Sequence, residues 1–279
     1  MTEFRPRIAL CNEVIREMGW AEQCAFAAKL GYDGLEVAPF TLSDAPDTLS
    51  AAEIAEFRRI ASDSGITITG LHWLLVAPEG LSITSRDPAV TARTREFIVR
   101  LVDLCAALGG RVLVHGSPSQ RQSGGDHAGA LARATEAFAI AGEAAARAGV
   151  VYCIEPLGRR ETDVINTFDE AAAIERNVGN PALRTMIDTS AAAQCEAEDA
   201  PSLITRALST GLMAHIQFND LNRKGPGQGE QRFLPVLQAL KTGGYRGDIA
   251  MEPFIYEPDG PACAARAVGY VRGLMEALI

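Results

Sequence analysis

The chain has 279 residues, 47% of them hydrophobic and 22% charged, which is too long for a disulfide-stapled mini-protein and too apolar for disorder or a fibre. Twenty-six Lys and Arg against 35 Asp and Glu leave a formal charge of −9. That balance repels phosphodiester backbones and argues against a nucleic-acid partner.

In chain order, short β-type runs alternate with longer alanine-rich stretches of helical period. Arg7 to Leu10 reads as a strand and Trp20 to Leu30 as a helix. Strand Gly34 to Val37 precedes helix Ser50 to Ser64, and strand Thr67 to Trp73 precedes helix Pro88 to Leu108. Val112 to His115 and then Ala130 to Ala148 continue the alternation, followed by strand Val150 to Glu155 and helix Thr167 to Asn177. Arg184 to Asp188, Ala214 to Phe218 and Asp248 to Glu252 are the last strands, paired with helices Pro201 to Thr210, Phe233 to Thr242 and Pro261 to Leu278. Several helical patterns end on a glycine just before the next strand, at Gly31, Gly65, Gly109 and Gly149, where the chain must leave the helix with positive φ. No linker or low-complexity segment interrupts the pattern, so one domain spanning 1–279 is expected. Eight β/α units with right-handed crossovers close most economically into a single (β/α)8 barrel, the TIM-barrel architecture. An open doubly wound sheet is the alternative, but no GxGxxG follows the first strand.

Six cysteines stand at wide intervals with no CxxC pair, and they read as reduced thiols. The N-terminal apolar run is too short for a signal peptide, and no stretch of about 18 apolar residues occurs. A cytoplasmic protein with no membrane partner is expected.

The strand ends are unusually polar: Glu36, His72, His115, Glu155, Asp188, Gln217 and Glu252. In a closed barrel these C-terminal ends converge on one rim. Three carboxylates on neighbouring tips, Glu155, Asp188 and Glu252, resist ionising together unless a cation lies among them. For any one acid, capping of the following helix or pairing with arginine is the simpler explanation. For all three together, with Gln217 between them, a metal set of Glu155, Asp188, Gln217 and Glu252 is favoured. Its donors are all oxygen if the Gln217 carbonyl turns inward, which suits Mn2+ or Mg2+ and still admits Zn2+ or Co2+. His215 shares a strand face with Gln217 and either supports it from behind or serves as a fifth ligand.

With those residues in view, the sequence resembles the xylose-isomerase-like barrel superfamily, in particular its ketose 3-epimerases and hydroxypyruvate isomerases. The segments carrying the resemblance are GYDGLEV from Gly31, GLHWL from Gly70, IEPLGRRET from Ile154, MIDTS from Met186, AHIQFND from Ala214 and AMEPF from Ala250. The family's metal site falls on Glu155, Asp188, Gln217 and Glu252. Ketose 3-epimerases commonly carry His where Gln217 stands and a substrate-binding His where Ala191 stands; hydroxypyruvate isomerases are similar to this chain in using Gln.

The expected activity is divalent-metal-dependent isomerisation or epimerisation of a small sugar or hydroxy-carbonyl compound by proton transfer through an enediolate. Glu155 and Glu252 are the candidate acid and base, and Glu161, His72 and Arg223 the candidate substrate contacts. Glu161 and Arg223 draw further support from the resemblance, and Trp73 is a candidate apolar wall. The Gly- and Pro-rich loop from Asn219 to Gln231 suits a lid, or a phosphate site through Arg223 and Lys224. A metal-dependent lyase acting on a sugar acid is the alternative activity. An apurinic endonuclease is disfavoured by the four histidines and the negative charge, and a purely sugar-binding barrel has little need of three converging carboxylates. Barrels of this kind often form homo-oligomers, although no segment identifies an interface.

Overall fold

Every β-type run becomes a strand in the computed structural model, which describes residues 4–278. The strands are β1 (Ile8–Cys11), β2 (Gly34–Val37), β3 (Thr67–Leu71), β4 (Val112–His115), β5 (Val151–Ile154), β6 (Leu183–Asp188), β7 (Met213–Phe218) and β8 (Ile249–Met251). Each pairs in parallel with its neighbours in sequence. Pairing of Ala9 with Ala250 joins β8 to β1 and closes the barrel. Helices α1 (Trp20–Leu30), α2 (Ala51–Asp63), α3 (Pro88–Leu108), α4 (His127–Ala148), α5 (Phe168–Val178), α6 (Thr189–Cys195), α7 (Ala200–Thr210), α8 (Phe233–Thr242) and α9 (Gly260–Glu276) complete the alternation.

Local chemistry sets the helix ends. Ser50, Thr167 and Asp259 cap α2, α5 and α9 by accepting from the third helical amide, satisfying donors that a helix start leaves open. Gly109 and Gly149 close α3 and α4 at φ 85° and 72°. The packing stripe of α3 runs through Phe97, Ile98, Leu101, Val102, Cys105 and Leu108, all buried. The three- and four-residue spacing lays these side chains along one face, and each large one contributes about 1.5–3 kcal/mol by leaving water. The six cysteines are all free thiols. No helix among the described residues is long and apolar enough to cross a membrane.

Three differences from the sequence reading bear on the rim. Strand β3 stops at Leu71 instead of Trp73, because Trp73 has φ 50° and a strand cannot pass through that conformation. Glu155 and Glu252 stand one residue beyond β5 and β8; Pro156 and Pro253 follow them and have no amide with which to extend the ladder. Helix α6 is unanticipated. Only seven residues long, it starts directly off the tip of β6, where the Asp188 carboxylate accepts from the Ala191 amide at 2.6 Å.

Candidate active site

Glu155, Asp188 and Glu252 end neighbouring parts of the rim and are at most 5% exposed, with ligand-capable oxygens within 4.8 Å of one another. Asp188 does cap a helix, through Oδ1, while Oδ2 accepts from Asn219 Nδ2 at 2.5 Å. Two donors fix this carboxylate without exhausting its lone pairs. Glu252 Oε1 lies 2.9 Å from His72 Nδ1, and its Oε2 is buried with no hydrogen-bond partner. Burial pushes Asp188 up to about 7 and Glu252 up to about 8, and burial together with Glu252 and Asp188 holds Glu155 well above the usual carboxylate range. Protein groups alone therefore do not keep all three ionised at neutral pH. A divalent cation among them would.

Gln217, fully buried on β7, turns its amide nitrogen to Glu36. Its Nε2 donates to Glu36 Oε1 at 2.8 Å, and its Oε1 is buried without a partner. The amide direction follows from chemistry. Burial alone would raise Glu36, but His215, whose Nε2 lies 2.8 Å from Glu36 Oε2, overrides it and holds the carboxyl below its ordinary value. An ionised Glu36 can only accept, so the NH2 of Gln217 must face it and the carbonyl oxygen must point away. His215 thus acts on Gln217 through Glu36.

Beside the carboxylates lies a cavity of about 160 Å³, lined by Trp73, Gly116, Leu157, Glu161, Ala191, Arg223 and Phe254 as well as the three acids. Trp73 packs edge-on against Phe40 and Phe254, with ring centroids 5.6 and 6.3 Å apart. The Arg223 guanidinium stacks 4.7 Å from the Phe254 ring and lies 3.2 Å from Glu161 Oε1, so two of the expected substrate contacts meet across the cavity. The third is placed differently. His72 is fully buried, does not line the cavity, and stands behind Glu252 between that residue and Glu13.

The loop after β7 is folded on itself. Asp220 Oδ1 accepts from the Leu221 and Gln231 amides, Gln228 Nε2 donates to the Glu257 carbonyl at 3.0 Å, and Lys224 pairs with Glu257. Both basic side chains offered for phosphate are engaged within the protein.

Several residues at the site carry no sequence signal of their own. Arg121 is fully buried; its Nη2 donates to the Glu155 carbonyl at 2.7 Å, and burial pulls its guanidinium down to about 10 while Glu155 and Glu161 act in the other direction. Gly116 lies so close to Glu155 that a Cβ there would overlap the carboxylate. Glu13 and Asn219 are the others. His115 is held by the Tyr152 hydroxyl at 2.7 Å, and burial with Arg121 nearby lowers it to about 3, which leaves it a neutral packing residue.

A model of xylose isomerase-like TIM barrels matches residues 24–274. The chain belongs to the xylose isomerase-like TIM barrel family. Among curated members, the D-psicose 3-epimerase of Agrobacterium fabrum is 31% identical over 233 residues, covering 82% of this chain and 77% of that protein. The L-ribulose 3-epimerase of Mesorhizobium japonicum is 26% identical over 234 residues, covering 80% and 73%. A crystal structure of D-psicose 3-epimerase obtained with D-fructose superposes with a TM-score of 0.82 at 24% identity, covering 96% of this chain and 99% of that one. These family members are epimerases, in agreement with the isomerase and epimerase expectation; neither the comparisons nor the site supplies support for a lyase.

Proposed function

We propose that the chain is a divalent-metal-dependent epimerase or isomerase of a small, unphosphorylated ketose or related hydroxy-carbonyl compound. The observation that carries the reading is the convergence of three buried carboxylates, Glu155, Asp188 and Glu252; the buried, unpartnered carbonyl oxygen of Gln217 on the intervening strand adds support. Glu155, Asp188, Gln217 and Glu252 would hold the ion, and an all-oxygen set favours Mn2+ or Mg2+, with Zn2+ or Co2+ admitted. When bound, a divalent ion there polarises the substrate carbonyl and stabilises charge that develops on its oxygen.

The remaining work falls to the chain itself. Glu155 and Glu252 line the cavity from β5 and β8. One carboxylate takes the proton from the carbon beside the carbonyl, giving the enediolate, and the other, or the same one, returns a proton to the opposite face in an epimerisation or to the neighbouring carbon in an isomerisation. Trp73, Leu157 and Phe254 exclude water from the reacting carbon, while Glu161 and Arg223 orient the distal hydroxyls. Ala191 lines the cavity at the position where the resemblance to ketose 3-epimerases implies a substrate-binding histidine. The engagement of Arg223 with Glu161 and of Lys224 with Glu257 supports a substrate without phosphate. Free cysteines throughout the chain support a cytoplasmic setting, and the uninterrupted β/α alternation supports a single domain over 1–279.

The test is a screen of tetroses, pentoses, hexoses and hydroxypyruvate by NMR in D2O with Mn2+-loaded protein. The reading predicts an epimer or isomer carrying deuterium at the inverted or newly protonated carbon. Glu155→Gln and Glu252→Gln are each expected to lower turnover by about 100-fold or more. Loss of water or CO2 from sugar acids, with no turnover of any ketose, would replace it with the lyase.

A further inference from the structure

A second cluster of donors lies behind Glu252, outside the substrate cavity. Cys11 ends β1, Glu13 sits in the turn that follows, and His72 follows β3; their ligand-capable atoms and one of Glu252 lie within 4.8 Å of one another. The Glu13 carboxylate is 2% exposed, and neither of its oxygens has a hydrogen-bond donor. His72 Nε2 lies 2.9 Å from Glu13 Oε2 without the alignment of a hydrogen bond, so that nitrogen is unpartnered as well. A buried carboxylate with no hydrogen bond aligned on either oxygen is costly. One ligand atom from each of Cys11, Glu13, His72 and Glu252 lies close enough to the others to share an ion.

Glu252 holds one ring nitrogen of His72 and leaves the other facing Glu13. His72 Nδ1 lies 2.9 Å from Glu252 Oε1; with an ion in place of any proton on Nε2, that carboxylate would keep the remaining proton on Nδ1, the usual arrangement behind a metal-bound histidine. Glu13 also lines a separate cavity of about 180 Å³ with Tyr256, Asp259 and Pro261, apart from the substrate cavity.

We propose that Cys11, Glu13 and His72 bind a second divalent ion, with Glu252 fixing the imidazole from its far nitrogen. One sulfur, one nitrogen and carboxylate oxygen form a softer set than the oxygen ligands of the first site and select Zn2+ or Co2+ over Mg2+. Cys11 Sγ donates to Glu36 Oε1 at 3.8 Å, and binding would release that thiol proton to solvent. The two ions then divide the rim: β5 to β8 supply the first, β1 and β3 the second, and Glu252 links them.

The proposal stands independently of the first ion, and Co2+ titration of the metal-free full chain separates the two. Wild type should take up two equivalents of Co2+ and show a near-ultraviolet sulfur-to-cobalt charge-transfer band. Cys11→Ser should lose the band, and Glu13→Gln should lose the band and one equivalent, each with unchanged circular dichroism. Glu155→Gln should keep the band while losing the other equivalent. A wild-type protein that binds Co2+ without a sulfur band, or whose band survives Cys11→Ser, overturns the proposal and leaves the cluster as a buried imidazole between two carboxylates. Cys11→Ser, the mildest change, decides the matter if Glu13→Gln does not fold.

Discussion

At the scale of single residues, the site depends on groups that never meet the cavity. Glu36 fixes which end of the Gln217 amide points outward, because an ionised carboxylate accepts and cannot donate. Glu36→Gln replaces it with a side chain that can present either end, so Gln217 is no longer constrained. Mn2+ affinity by calorimetry is expected to fall about 10- to 100-fold, the usual penalty for removing a ligand's support, with little change in fold. An unchanged affinity would show that Gln217 is not a ligand. Gly116 constrains Glu155 by its emptiness. Gly116→Ala would push the carboxylate off its position and is expected to lower kcat about 100-fold or more, since this side chain is also a proposed acid or base; a variant with wild-type kcat would remove Glu155 from that role.

At the scale of elements, strands and helices are legible in the sequence because parallel strands buried on both faces read as short apolar runs, and helix ends carry Asp, Ser, Thr or Gly. The polar strand tips are legible for the same reason: Glu155, Asp188 and Glu252 interrupt apolar runs. What lies behind the tips is not. Arg121 sits in a Ser-, Gln- and Gly-rich stretch that reads as solvated loop, and only the packing of that loop under β5 buries it. Glu13 looks like an ordinary surface acid until β1, β3 and β8 close around it. Helix α6 has too few residues to show a period. The loop after β7 reads as flexible from its glycines, yet Asp220 gathers it. Asp220→Ala removes an acceptor from the Leu221 and Gln231 amides, and is expected to cost about 2 kcal/mol of stability and to raise KM more than it lowers kcat, because Arg223 loses its seat on Phe254. Thermal melts and steady-state kinetics check both, and a fall in kcat alone would contradict this positioning role.

At the scale of the whole molecule, the carboxylates couple stability to pH and to metal. In metal-free protein, burial places Asp188 at about 7 and Glu252 at about 8, against roughly 4 in the unfolded chain. The native state therefore holds protons that the unfolded state has released. Stability of the apoprotein should fall as pH rises from about 4 to about 8. Saturating Mn2+ should reverse the trend, because the ion binds the deprotonated groups and its gain grows with pH. Melting temperatures across about pH 5 to 8, with chelator and with Mn2+, check the sign; parallel curves in the two conditions would contradict it.

The most direct measurement is the anomalous-scattering map of a crystal grown with Mn2+. The account predicts an ion at bonding distance, about 2.0–2.3 Å, from oxygens of Glu155, Asp188, Gln217 and Glu252 together. A peak elsewhere, or these four side chains directed apart with no ion among them, would contradict it.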